Sequence, residues 1–213
     1  KELSEKAPGT FHHSLNVANL AEAAANEIGA NAMLVRVGAL YHDIGKMLNP
    51  TYFTENQSTG INPHDELSPK ESAQIIINHV IDGIELAKKN NLPDRVIDFI
   101  RTHHGSSMVY YFYNKQVESN LAFETSDFSY GGPKPFNKET AILMMCDSVE
   151  AASKSLKDPN STKINNFVDA IVSKQMDTEQ FLNATITLKE IQSIKKVLKH
   201  KLANMYHLRI EYP

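Results

Sequence analysis

Almost every long segment of this chain repeats its apolar residues at spacings of three and four, the period of a helix with one buried face. No run of useful length alternates as a half-buried strand does. Leu15, Leu20, Ala24 and Ile28 mark one face of a first helix beginning near Thr10. Asn31 is placed to cap a second, which carries Leu34, Val37 and Leu40 and ends at Asn49-Pro50. After a loop rich in Asn, Ser, Thr, Gly and Pro, Ser68-Pro69-Lys70-Glu71 combines a capping serine, a first-turn proline and a glutamate at the third position. That helix runs to about Asn90, and Leu92-Pro93-Asp94 opens another through Val96, Phe99 and Ile100 toward His103. A polar segment spans 114–136, and Asn137 then caps a helix through Ile142, Leu143 and Val149 to Lys157. Two more follow Asp158-Pro159-Asn160, the last opened by Thr187-Leu188-Lys189-Glu190 and striped with Leu188, Ile191, Ile194, Leu198, Leu202 and Met205. The expectation is an all-α bundle of about seven helices, folded as one domain over residues 1–213.

Polar residues interrupt these stripes. His13 precedes Val17, Leu20 and Ala24 at helical spacing and shares their face, and His42 continues the stripe of Leu34 and Gly38. His79 follows Ile75 and Ile76, His103 and His104 follow Val96 and Ile100, and Asp147 follows Leu143. One such histidine is ordinarily a hydrogen-bonded core residue. Five of them with Asp43 and Asp147, on five helices, are another matter, because each buried polar group needs a partner and a buried carboxylate needs a countercharge. A metal satisfies them all at once. Seven nitrogen and oxygen ligands exceed what one tetrahedral zinc accepts and suit two octahedral ions sharing an aspartate. No thiolate takes part, so Mn, Fe or other ions favouring imidazole and carboxylate are expected over structural zinc; Cys146, beside Asp147, is read as facing a neighbouring helix. Of the nine histidines, His200 and His207 fall on the last helix and are read as solvent-exposed.

Composition narrows the partners. A net charge of -3 provides no basic field to hold a nucleic acid polymer, so an anionic ligand must be bound by local charge. A single cysteine excludes an internal disulfide. No apolar run reaches the roughly 18 residues of a membrane span. The chain opens on Lys1 within a charged stretch, which reads as a piece of a longer protein.

The blocks "PGTFHHSLNVANLAEAAANEIGA", "VGALYHDIGKM", "NPHDELSPKESAQIIINHV", "FIRTHHGSS" and "GGPKPFNKETAILMMCDSVEAAS", from Pro8 to about Ser153, resemble the HD-domain phosphohydrolases. Within them the resemblance is to the cytoplasmic HD domain of the seven-transmembrane HD phosphodiesterases, the PgpH type. It implies hydrolysis of cyclic di-AMP to the linear dinucleotide by two divalent metal ions. One ion would be held by His13, His42, Asp43 and Asp147, and the other by Asp43, His79, His103 and His104. His12 is the alternative at the first position, but His13 is in phase with the apolar stripe. The resemblance also implies a covalently linked membrane domain, with this chain at the cytoplasmic face of the membrane; it leaves open whether the protein oligomerises. Ser129 and Lys154 stand where the pattern leads one to expect arginine, and the Gly-Tyr-Pro signature of the cyclic di-GMP hydrolases is missing after Gly105.

Such a pair of ions, roughly 3.5 to 4 Å apart, acidifies water and holds a phosphate for in-line attack. Lys46, three residues after Asp43, is then expected to bind a phosphate oxygen. His64 lies in a loop that would cover the site as a general acid, an orienting residue or a plain loop residue. Asp82 and Glu150, each one turn beyond a proposed ligand, are candidates to orient those ligands. Of the run Tyr110-Tyr111-Phe112-Tyr113, one residue, Tyr111, is expected to stack on a base. Two rival readings are a one-metal nucleotide phosphohydrolase that needs only the first ligand set, and a catalytically silent domain that binds a nucleotide and signals.

Overall fold

The computed structural model describes residues 1–58 and 60–206, so the expectation for His207 lies outside the described residues. Among them are nine α-helices: α1 (Glu2–Lys6), α2 (Pro8–Ile28), α3 (Ala32–Tyr41), α4 (Pro69–Lys89), α5 (Asp94–Thr102), α6 (Tyr110–Glu118), α7 (Lys138–Ser153), α8 (Ser161–Asp177) and α9 (Leu188–Met205). The count of about seven was short by α1 and α6. A five-residue helix is too brief to show a periodic stripe, and the aromatic run that opens α6 has no apolar face distinct from a polar one. The expected starts are capped as read: Asn31 accepts from Leu34 N–H, and Ser68, Asn137 and Thr187 each form a reciprocal capping box. Each cap is worth about 1 kcal/mol to its helix.

The core explains the order of packing. In α7 every residue from Thr140 to Asp147 is buried, as befits a helix surrounded by others. Around it, α2, α3, α5, α8 and α9 contribute Val17, Leu20, Val35, Phe99, Val168, Ile194 and Leu198 to one cluster. Cys146 is part of that cluster. His200 is exposed. No helix among the described residues is long and apolar enough to cross a membrane.

Three helices stop earlier than their sequence patterns suggest: α7 ends at Ser153 instead of Lys157, and the other two border the site. The stripe of α3 suggests a helix through to Asn49, but the helix ends at Tyr41, and after Asp43 (φ -107°, ψ 16°) the chain tightens into a 3-10 segment, Ile44–Leu48. Close packing accounts for the tighter path: Gly45 lies so near α4 that a Cβ there would stand 1.8 Å from the His79 carbonyl oxygen. Likewise α5 ends at Thr102, and His103-His104 occupy the turn beyond it.

Candidate metal centre

These early stops shape the site. Inside a helix, neighbouring side chains point about 100° apart. Past the helix ends, His42-Asp43 and His103-His104 meet residues of α2, α4 and α7 in one buried cluster. Asp43 is at its middle, 1% exposed. Its Oδ2 lies 3.3 Å from His42 Nε2 and 3.6 Å from His13 Nε2, while its Oδ1 lies 3.2 Å from His79 Nε2 and 3.5 Å from His103 Nε2. Asp147 Oδ1 closes the first group, 2.9 Å from His13 Nε2 and 3.5 Å from His42 Nε2. His104 completes the second, stacked on Tyr130 with ring centroids 4.2 Å apart. All seven sequence-derived ligand candidates are therefore brought together, as two groups of four that share Asp43.

The imidazoles are oriented from behind. The Nδ1 atoms of His42, His79 and His103 lie 2.6, 2.5 and 2.7 Å from the carbonyl oxygens of Ala39, Ile76 and Ile100, each three residues earlier. His13 Nδ1 is paired with the Glu150 carboxylate, which Asn16 also holds. A histidine that donates its Nδ1 proton in this way presents the Nε2 lone pair forward.

What faces those lone pairs decides whether the cluster fits metal. His42 Nε2 and Asp43 Oδ1 are buried with no hydrogen-bond partner. His79 Nε2 and His103 Nε2 are 3.2 Å apart, both with Nδ1 already engaged, an arrangement that repels unless a cation joins them. The donors are all imidazole nitrogen and carboxylate oxygen, a set suited to octahedral divalent ions. Divalent metal answers each of these features.

Charge is unequal across the cluster. Burial by itself would lower the His42 pKa, but the Asp43 and Asp147 carboxylates overcome it and carry it up to about 10. His13 is raised against its burial by Asp147 and Glu150. Burial would raise Asp43 and Asp147, yet Lys46 and His42 hold the first, and His13 and His42 the second, well below the usual carboxylate range. On the other side, burial and its histidine neighbours push His104 well down, and burial also lowers His103.

A cavity of about 410 Å³ opens on the cluster, lined by His13, Asp43, Lys46, Glu55, His104 and Asp147 among others. A second, of about 440 Å³, shares His104 and Ser148 with it and is walled by Tyr110, Met144, Ile171, Lys174 and Gln180. Lys46 donates to Asp43 Oδ2 at 2.8 Å and to Glu55 Oε1 at 2.9 Å. His64 does not cover the cluster: its Nε2 is 2.8 Å from the Tyr52 carbonyl, its ring packs on Tyr52 and Phe112, and it lines neither cavity. Tyr111 is 61% exposed and also lines neither, whereas Tyr110 does, with Lys174 Nζ 3.4 Å above its ring. Of the two candidates for orienting ligands, Glu150 reaches one. His12 is exposed. Sequence reasoning missed Tyr130 and the α8 wall, because neither bears a spacing relation to the ligands.

A helical bundle with a buried histidine–aspartate cluster suited to divalent cations is the class that the fold and site define. The pattern of the HD domain matches residues 10–152, and the chain belongs to that family. It is 49% identical over its full length to "Cyclic-di-AMP phosphodiesterase PgpH" of Listeria monocytogenes and 44% identical to the protein of that name from Bacillus subtilis. It spans 30% of the length of each. A crystal structure of the L. monocytogenes PgpH HD domain in complex with cyclic-di-AMP superposes with a TM-score of 0.94 at 48% identity, covering 99% of this chain and 98% of that one.

Proposed function

We propose that the chain is the catalytic domain of a phosphodiesterase that hydrolyses cyclic di-AMP to linear pApA at a dinuclear metal centre. The observation that carries this reading is the divided Asp43 carboxylate, with each oxygen facing its own set of imidazoles. Two divalent cations, Mn or Fe by the chemistry of the donors, would polarise a phosphodiester and acidify the water that attacks it. His13, His42 and Asp147 would hold one cation and His79, His103 and His104 the other, with Asp43 offering an oxygen to each group. Lys46, at the cavity edge, binds a phosphate oxygen and offsets its developing negative charge. The P–O3′ bond breaks as water's oxygen bonds to phosphorus, and the departing sugar oxygen takes up a proton.

The paired cavities support a substrate larger than a mononucleotide. A phosphate seated beside Lys46 leaves the neighbouring space for a base, against Tyr110 and Met144. The activity for which the relatives are named and the neighbour's bound ligand favour adenine. Because the curated relatives are much longer, we also propose a linked membrane domain, with this one on the cytoplasmic side. Product analysis tests the reaction: Mn-loaded protein is incubated with cyclic di-AMP and, separately, cyclic di-GMP, with Asp43→Ala as control. Linear di-adenylate from the first alone is expected; no product from either sinks the proposal.

A further inference from the structure

The strap between α3 and α4 carries a carboxylate for which the proposed chemistry has no use. Glu55 lies in the 3-10 turn Thr54–Asn56, its side chain 16% exposed. Its Oε1 accepts from Lys46 Nζ at 2.9 Å and from Thr10 Oγ1 at 3.0 Å. The next residue ties the same turn to α2, because Asn56 Oδ1 accepts from Thr10 N–H at 3.1 Å and Asn56 Nδ2 donates to Thr10 Oγ1 at 2.9 Å. The turn comes this close only because residue 9 is glycine: a Cβ there would stand 1.8 Å from the Glu55 carbonyl oxygen. Phe53 on the same strap lies 5.0 Å from Lys46 Nζ and packs edge-on against His79. Glu55 is thus fixed by α2 independently of Lys46.

Lys46 also donates to Asp43 Oδ2, the oxygen that faces His13 and His42. An ammonium paired with that oxygen alone would neutralise it and oppose a cation seeking the same charge. A second carboxylate on the far side of the ammonium draws it outward.

The geometry points to Glu55 as a positioning residue that shares the Lys46 ammonium with Asp43, leaving Asp43 its charge for metal and holding Lys46 at the cavity edge for phosphate. This rests on the proposed phosphodiester reaction for its second half only. The test is a double-mutant cycle of Glu55→Gln and Lys46→Met, read by Mn²⁺ titration with free Mn²⁺ followed by electron paramagnetic resonance, and by kcat and KM on cyclic di-AMP. Glu55→Gln should weaken Mn²⁺ binding about tenfold, the scale of losing a ligand-supporting partner. Adding Lys46→Met should restore that affinity, because the competing ammonium is gone, while kcat stays depressed. Wild-type Mn²⁺ affinity in Glu55→Gln, or a loss that persists in the double variant as a folding defect would, overturns the inference. The Mn²⁺ cycle needs no turnover, so failure of the wild-type protein to cleave cyclic di-AMP would sink the proposed reaction and leave Glu55 to be judged on metal affinity.

Discussion

His13, His42 and Asp147 meet the Oδ2 side of Asp43 in acidic surroundings, with Glu150 behind His13, whereas His79, His103 and His104 meet the Oδ1 side with no further carboxylate in their group. His13 and His42 therefore attract protons when no metal is bound, whereas His103 and His104 repel them. Similar ligand counts conceal opposite electrostatics. The lesson is that the carboxylates placed around an imidazole set whether a cation must displace a proton to bind there.

Asp43→Ala should break the comparison outright, since under the proposed function both halves lose the carboxylate they would share. Bound metal should fall to near zero and turnover by about a thousandfold or more, with helical circular dichroism retained. Half the metal surviving would show that the two groups do not share this carboxylate.

His104→Ala and Asp147→Asn separate the halves. Each should reduce bound metal from about two equivalents to about one, measured by elemental analysis, and each should abolish most turnover. If His104→Ala kept full activity, the one-metal nucleotide phosphohydrolase would be the better account.

Glu150→Gln acts on one half only. It leaves His13 in place but weakens what orients it, so metal affinity at the first half should drop about 10- to 100-fold while the second is unchanged.

Protons sharpen the contrast further. With a folded pKa of about 10, His42 is protonated at neutral pH in the metal-free protein, so loading the first half releases protons and its affinity climbs as pH rises toward that value. His103 and His104, both lowered, release none above neutrality. Calorimetry in buffers of different ionisation enthalpy distinguishes the two events; equal proton release from both would refute the asymmetry. The raised pKa also contributes stability to the metal-free fold that is fully present below the unfolded value near 6.5 and lost as pH climbs through about 10. Melting temperature in chelator should accordingly decline across that window. The smallest effect belongs to exposed His12, whose replacement by alanine should leave metal content and rate within error, unlike His13→Ala.

The ligand candidates were legible because they break a pattern: a histidine or aspartate in phase with an apolar stripe must be buried, and seven of them imply a shared partner. Residues that work from solvent-facing or irregular segments carry no such mark. Tyr110 and Tyr111 are adjacent aromatics in one run, and only packing against α8 puts the first in the cavity wall and the second in solvent. His64 drew attention as a loop histidine, but the Tyr52 carbonyl holds it. Tyr130 gave no signal, because its stacking on His104 joins two segments that share no spacing pattern.

Helical period, caps and buried polar positions are local or periodic properties, so the chain's all-α class, its main helix starts and its ligand candidates were determined by sequence alone. Tertiary packing decided where α3 and α5 stop, which oxygen of Asp43 faces which imidazoles, and how Glu55 reaches Lys46. Those depend on approaches between segments far apart in sequence, such as Gly45 against the His79 carbonyl and Gly9 against Glu55, and a spacing pattern within one segment has no term for them.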